Sequence, residues 1–164
     1  MLDFEISENG SDPGSNPGGS MYHQIYIFEM LIFYMISLSF LRKEHEMVER
    51  ELIELEENMC SEEINYSNIK HVFSRLINLW NFHEEKEEKI FKDIKDKNPN
   101  FNLDKMVFEH RELTGIKKAI LETLNSGSDS EIKASLDTDV KMLIEKLRKH
   151  MKDEEVILNN LDVM

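Results

Sequence analysis

From about Leu38 onward, apolar residues recur at alternating intervals of three and four. The first stripe runs Leu38, Leu41, His45, Val48, Leu52, Leu55 and Met59. The second runs Ile69, Phe73, Leu76, Trp80, His83, Glu87, Ile90 and Ile94. A third, less regular, runs Leu103, Met106, His110, Leu113, Ile116, Ile120 and Leu124. The fourth runs Leu136, Val140, Leu143, Leu147, His150, Glu154, Ile157 and Leu161. This rhythm puts each set on one face of an α-helix, the face that bundled helices turn inward. The breaks fall in SEEINYSN, KNPNFN and NSGSDS, with Asn102 and Ser128 or Ser130 as N-cap candidates. Four amphipathic helices with short connections predict an all-α, up-down-up-down four-helix bundle.

The bundle is expected over residues 35–164, behind an N-terminal extension of residues 1–34 that is disordered and then apolar. Residues 10–20, GSDPGSNPGGS, contain nothing that buries apolar surface, so disorder is expected there. The apolar run IYIFEMLIFYMISLSFL at 25–41 raises a membrane span as a hypothesis. Glu29 inside the run, the short apolar stretch after it and the lack of Lys or Arg before it argue against one, and against a signal peptide. GSNPGG is also what the T-arm consensus of a transfer-RNA gene spells in translation. The residues before Met30 or Met35 are therefore read as upstream sequence, with the native start at one of those methionines.

Composition narrows the function. A net charge of −13 repels phosphate backbones, so nucleic acid is not expected as a partner. The single cysteine, Cys60, excludes an internal disulfide and a Cys-rich metal motif, and fits a reduced, cytoplasmic setting. Only Pro99, Gly115 and Gly127 interrupt the chain after residue 20, which favours helix over strand.

The chemistry lies in polar residues that occupy inward slots. FHEEKEEKIF at 82–91 and KHMKDEEVIL at 149–158 repeat one pattern: a His, three residues, then Glu-Glu. His83 and Glu87 fall one turn apart on a single face, as do His150 and Glu154. Burying an unpaired carboxylate costs roughly several kcal/mol, and two that face each other repel as well. Protonation, cation pairing or a bound metal must compensate. His45 and His110 also fall in phase, so every helix offers one inward imidazole. Four imidazoles and two carboxylates suit iron or another first-row metal. Lys and Arg are absent from the inward slots read near them, which makes side-chain cations the weaker explanation. His23 and His71 are expected to be structural or exposed. Other metal motifs fail: no Glu stands three residues before any of the four histidines, and HEMVE at 45–49 lacks the second His of HExxH. No P-loop, GxGxxG turn or nucleophile setting is present. The competing reading is a metal-free helical interaction module, whose inward His and Glu residues form a polar network that specifies pairing.

LRKEHEMVERELIELEE at 41–57, FHEEKEEKIF, EHRELTGIKKAI at 109–120 and HMKDEEVIL at 150–158, in this order, resemble the hemerythrin-like HHE cation-binding family. The resemblance spans about residues 35–162. It implies a four-helix bundle with two non-haem Fe ions, oxo-bridged, held by His45, His83, Glu87, His110, His150 and Glu154. Glu87 and Glu154 would bridge the irons. Oxygen-carrying hemerythrins have a second helix C histidine four residues after the first; here Thr114 stands there. The set of four His and two Glu is more similar to bacterial proteins that repair iron–sulfur centres under nitrosative stress, which counts against reversible oxygen carriage. The expected ligand is therefore O2, NO or peroxide, or the role is iron storage and delivery in a stress response. Any enzymatic activity would be redox chemistry on NO or peroxide. Glu49, one turn after His45, is read as a solvated residue with a supplementary ligand role as the alternative.

Overall fold

The stripes are helices in a computed structural model, which describes residues 18–97 and 103–161. α1 spans Gly18–Met59, α2 Tyr66–Lys97 and α3 Leu103–Ser126. The fourth rod is composite: α4 at Asp129–Ser135, a π-helical turn at Leu136–Val140, and α5 at Lys141–Leu161. Two compact units divide the chain, Met1–Tyr34 and Met35–Met164. Among the described residues no helix is long and apolar enough to cross a membrane.

Local chemistry sets the helix ends. Asn65 caps α2, its Oδ1 accepting the Asn68 amide at 3.0 Å. Ser128 caps α4 in a reciprocal box: its hydroxyl accepts the Glu131 amide, and the Glu131 carboxylate accepts the Ser128 amide at 2.7 Å. Gly127 makes the tight passage between α3 and α4. A Cβ there would meet the Thr123 carbonyl oxygen at 2.6 Å, so the position demands glycine.

Charged pairs between helices reveal the directions. Arg75 of α2 binds Glu51 and Glu54 of α1, while further along α2 His83 meets Glu44. Rising numbers on one helix pair with falling numbers on the other, so α1 and α2 are antiparallel. Glu84–Lys117 and Lys95–Asp104 set the same relation for α2 and α3. Glu112–Lys146 and Lys105–Asp153 set it for α3 and α5. Arg148 with Glu49 and Glu56, and Arg42 with Glu155, close the circle between α5 and α1. The architecture is the expected up-down-up-down bundle.

Two apolar layers fill it. The larger joins Val48, Leu52 and Leu55 to Phe73, Leu76 and Trp80, then to Leu113, Ile120, Val140 and Leu147. Beyond His45, His83, His110 and His150 in their helices lie Leu41, Phe91, Met106 and Leu158, also buried. Each buried Leu, Ile or Phe contributes about 1.5–3 kcal/mol, which lets the bundle carry one costly polar layer between them.

Three inward positions differ from the sequence reading. Phe91 and Leu158 are buried where Ile90 and Ile157 were expected, and those two isoleucines are half-buried. A straight helix drifts by about 20° per heptad against a strict seven-residue repeat, so the inward slot moves one residue later after several turns. On α3 the buried position is Lys117, with Ile116 half-buried. The helix also begins earlier than expected: Gly18–Ser20 belong to α1, although they close the stretch read as disordered. Extending an existing helix by a residue costs far less than nucleating one. The rest of that stretch, and Asn102, lie outside the described residues.

Candidate metal centre

His45 comes from α1, His83 and Glu87 from α2, His110 from α3, and His150 and Glu154 from α5. All six are buried, none more than 7% exposed. Their inward atoms form two overlapping groups that could each hold a metal ion. Glu87, His110, His150 and Glu154 make one; His45, His83 and Glu154 make the other, and within each group the donor atoms lie within 4.8 Å. Glu154 belongs to both. Its Oε2 lies 2.8 Å from His45 Nε2 and 3.5 Å from His83 Nε2, and its Oε1 faces His150 Nε2. Glu87 Oε2 is 3.1 Å from His110 Nε2 and 3.9 Å from His83 Nε2.

These contacts leave the centre unsatisfied. His83 Nε2, both oxygens of Glu87 and Glu154 Oε1 are buried with no hydrogen-bond partner among the described residues. Imidazole nitrogens stand close to those oxygens, but without hydrogen-bond alignment. Buried polar atoms are nearly always paired. Four orphans converging among imidazole nitrogens and carboxylate oxygens are what a cation site requires, so the residues fit a first-row metal.

The electrostatics agree. Burial pushes the Glu87 carboxyl up, the neighbouring Glu154 charge adds to this, and the result is about 8 despite the opposing pull of the nearby His110 imidazole. Burial acts the same way on Glu154, but the surrounding imidazoles of His110, His150, His45 and His83 reverse it and hold Glu154 well below the usual range. Burial alone would lower His83; the neighbouring Glu154 and Glu44 carboxylates overcome it and raise the imidazole to about 9. His110 is likewise raised, to about 11, by Glu154, Glu87 and Glu88 against its burial. Without metal, protons stand in for the missing positive charge.

Every imidazole turns Nε2 inward and Nδ1 outward to a carboxylate. His45 Nδ1 meets Glu155 at 3.0 Å, His83 meets Glu44 at 3.3 Å, and His110 and His150 meet Glu88 and Glu109 at 2.9 Å each. Trp80 closes one side of the layer, its ring 5.2 Å from His83 and 5.6 Å from His150 between centroids. Two histidines border surface grooves. His150 shares one with Glu109, Glu112 and Lys146, and His45 another with Glu49, Arg50 and Met151. His83 and Glu87 are sealed.

The six residues singled out in the sequence meet in one buried layer; their surroundings were not legible there. Glu49 stands apart from the centre, held by both Nε and Nη2 of Arg148 at 2.8–3.1 Å. Thr114 is exposed on α3, and so is His71 on α2. The inward lysine absent from the stripes exists at 117, but its amine binds Asn81 and Glu84 at 2.9 Å each, not the central carboxylates. The four outer glutamates were hidden as ordinary surface charges, though each adjoins a central residue in sequence.

An antiparallel four-helix bundle with one buried layer of imidazoles and carboxylates defines a helical cation-binding domain. The hemerythrin HHE cation binding domain model matches residues 37–161, and the chain belongs to that family. No curated protein and no solved structure matches it significantly.

Proposed function

We propose that the chain holds two non-haem iron ions and uses them to engage O2, NO or peroxide, or to store and deliver iron. The observation that carries this reading is Glu154, one buried carboxylate common to two clusters of metal-ligating atoms. His110, His150 and Glu87 would hold one ion and His45 and His83 the other, with Glu154 common to both groups. Two carboxylates that repel when alone become mutually tolerable around two cations. When bound, the iron pair supplies electrons and exchangeable coordination positions to a small diatomic molecule or peroxide.

The protein's own part is to bind, orient and shield. The four Nε2 atoms and two carboxylates fix the donor set, and the apolar layers on either side keep bulk water out. The grooves beside His45 and His150 would give small molecules an approach to the centre. α3 supplies one inward histidine and exposes Thr114, which favours a four-His, two-Glu centre of the iron–sulfur repair type over an oxygen carrier.

Elemental analysis of protein from iron-supplemented cells tests the reading. About two irons per chain are expected, and chelation should lower the melting temperature. Protein that purifies without metal and is indifferent to chelators is instead a helical interaction module. Turnover of NO or peroxide by the iron-loaded protein then separates an enzyme from a store.

A further inference from the structure

Each outer carboxylate reaches its histidine from the next helix round the bundle. Glu44 of α1 binds His83 of α2, Glu88 of α2 binds His110 of α3, Glu109 of α3 binds His150 of α5, and Glu155 of α5 binds His45 of α1. The circuit closes with one sense of rotation. Its sequence basis is simple. Glu44 and Glu109 directly precede His45 and His110, whereas Glu88 and Glu155 directly follow Glu87 and Glu154. Adjacent residues on a helix are about 100° apart, so a neighbour of an inward residue points along the bundle's flank. Reversing a helix reverses that rotation. The preceding residue on α1 and α3 therefore turns the same way round the bundle as the following residue on α2 and α5. The alternation of Glu-His and Glu-Glu dipeptides is what a single-sense ring needs.

We propose that Glu44, Glu88, Glu109 and Glu155 are positioning residues that lock all four imidazoles in one tautomer and preform the metal centre. An ionised carboxylate only accepts hydrogen bonds, so it fixes the proton on Nδ1 and leaves the Nε2 lone pair facing the centre. It also fixes the ring plane and raises the basicity of Nε2 toward a cation. Because each bond crosses to another helix, the ring fixes bundle register and donor placement together. Three of the carboxylates are backed by a cation: Glu44 by Lys86, Glu109 by Lys105 at 3.6 Å and Glu155 by Arg42 at 3.4 Å. That backing holds the carboxylate in place without competing for the imidazole.

This inference rests on the metal reading, and the test separates the two. Anaerobic Fe(II) titration of the full chain, followed by Trp80 fluorescence, gives the affinity of the unaltered protein and of Glu109→Leu, Glu109→Gln, Glu88→Leu and Glu88→Gln. Glu88 is 48% exposed at its side chain, so its variants keep the fold if any do, and circular dichroism verifies this. The leucine variants should lose about 10–100-fold in Fe(II) affinity, and the glutamines, whose carbonyl still accepts from Nδ1, should recover most of it. Folded leucine variants that bind Fe(II) like the unaltered chain overturn the positioning role while leaving the metal reading intact. An unaltered chain that binds no Fe(II) overturns both.

Discussion

The Nε2 atoms of His110 and His150 face each other at 3.0 Å across the α3–α5 interface. Both rings already give Nδ1 to a carboxylate, Glu88 and Glu109. Two nitrogens that each present a lone pair would repel, so one must carry a proton, making an imidazolium, or a cation must lie among the donors. The metal-free centre is therefore charged with protons that metal has to displace.

Stability of the metal-free protein should fall in mildly alkaline solution. His83 is raised to about 9 in the folded chain from an ordinary value of 6.5. The folded state holds more protons between those values, so this stabilisation is complete below 6.5 and disappears as pH rises through about 9. Glu154 has the opposite sign: its lowered value gives stability above the ordinary 4.5 that is lost as pH falls further. Urea melts of metal-free protein should give a midpoint highest between those limits and declining toward pH 9. A midpoint that climbs steadily from neutral to pH 9 contradicts this arrangement.

Glu87→Gln should trade function for stability. Glu87 is raised to about 8 from 4.5, so its contribution fades as pH rises through 8 and the buried anion then destabilises the metal-free fold. A neutral isostere removes that anion. At pH 8.5 the metal-free variant should be about 0.5–2 kcal/mol more stable than the unaltered chain, as is common when a strained functional group is neutralised, while its iron content drops sharply. Calorimetry and elemental analysis on the same samples check both halves.

Lys117 offers a control away from the metal. Its side chain is buried and its amine is held by Glu84 and Asn81. Lys117→Met leaves the Glu84 carboxylate, which is 13% exposed, with the Trp80 indole N–H as a donor but without its cation. The loss should be about 3–5 kcal/mol, as when one partner of a buried pair is removed. Restoring a neutral partner with Lys117→Met and Glu84→Gln together should recover much of it. Equal melting temperatures for Lys117→Met and the unaltered chain show that the pair contributes nothing.

The bundle was legible in the sequence because its inward faces are written in apolar residues at helical spacing, and the centre because His and Glu interrupt them in phase. Phe91 and Leu158 escaped because a strict seven-residue rhythm ignores the slow drift of a real helix. Lys117 escaped for a different reason: a single charge in an inward slot looks like a surface residue until Glu84 and Asn81, from a helix far away in sequence, appear beside it. Outer glutamates in so acidic a chain blend into its solvated faces, and only the antiparallel arrangement shows which histidine each one meets. The Glu-Glu dipeptides repeated in α2 and α5 thus divide their labour, the first residue turning inward and the second reaching the next helix.

Iron-edge anomalous diffraction from crystals of the iron-loaded chain tests the central claim most directly. Two peaks are expected inside the polar layer, one beside His110 and His150, the other beside His45 and His83, with Glu154 touching both. A lone peak, peaks elsewhere in the bundle, or none at all would contradict it.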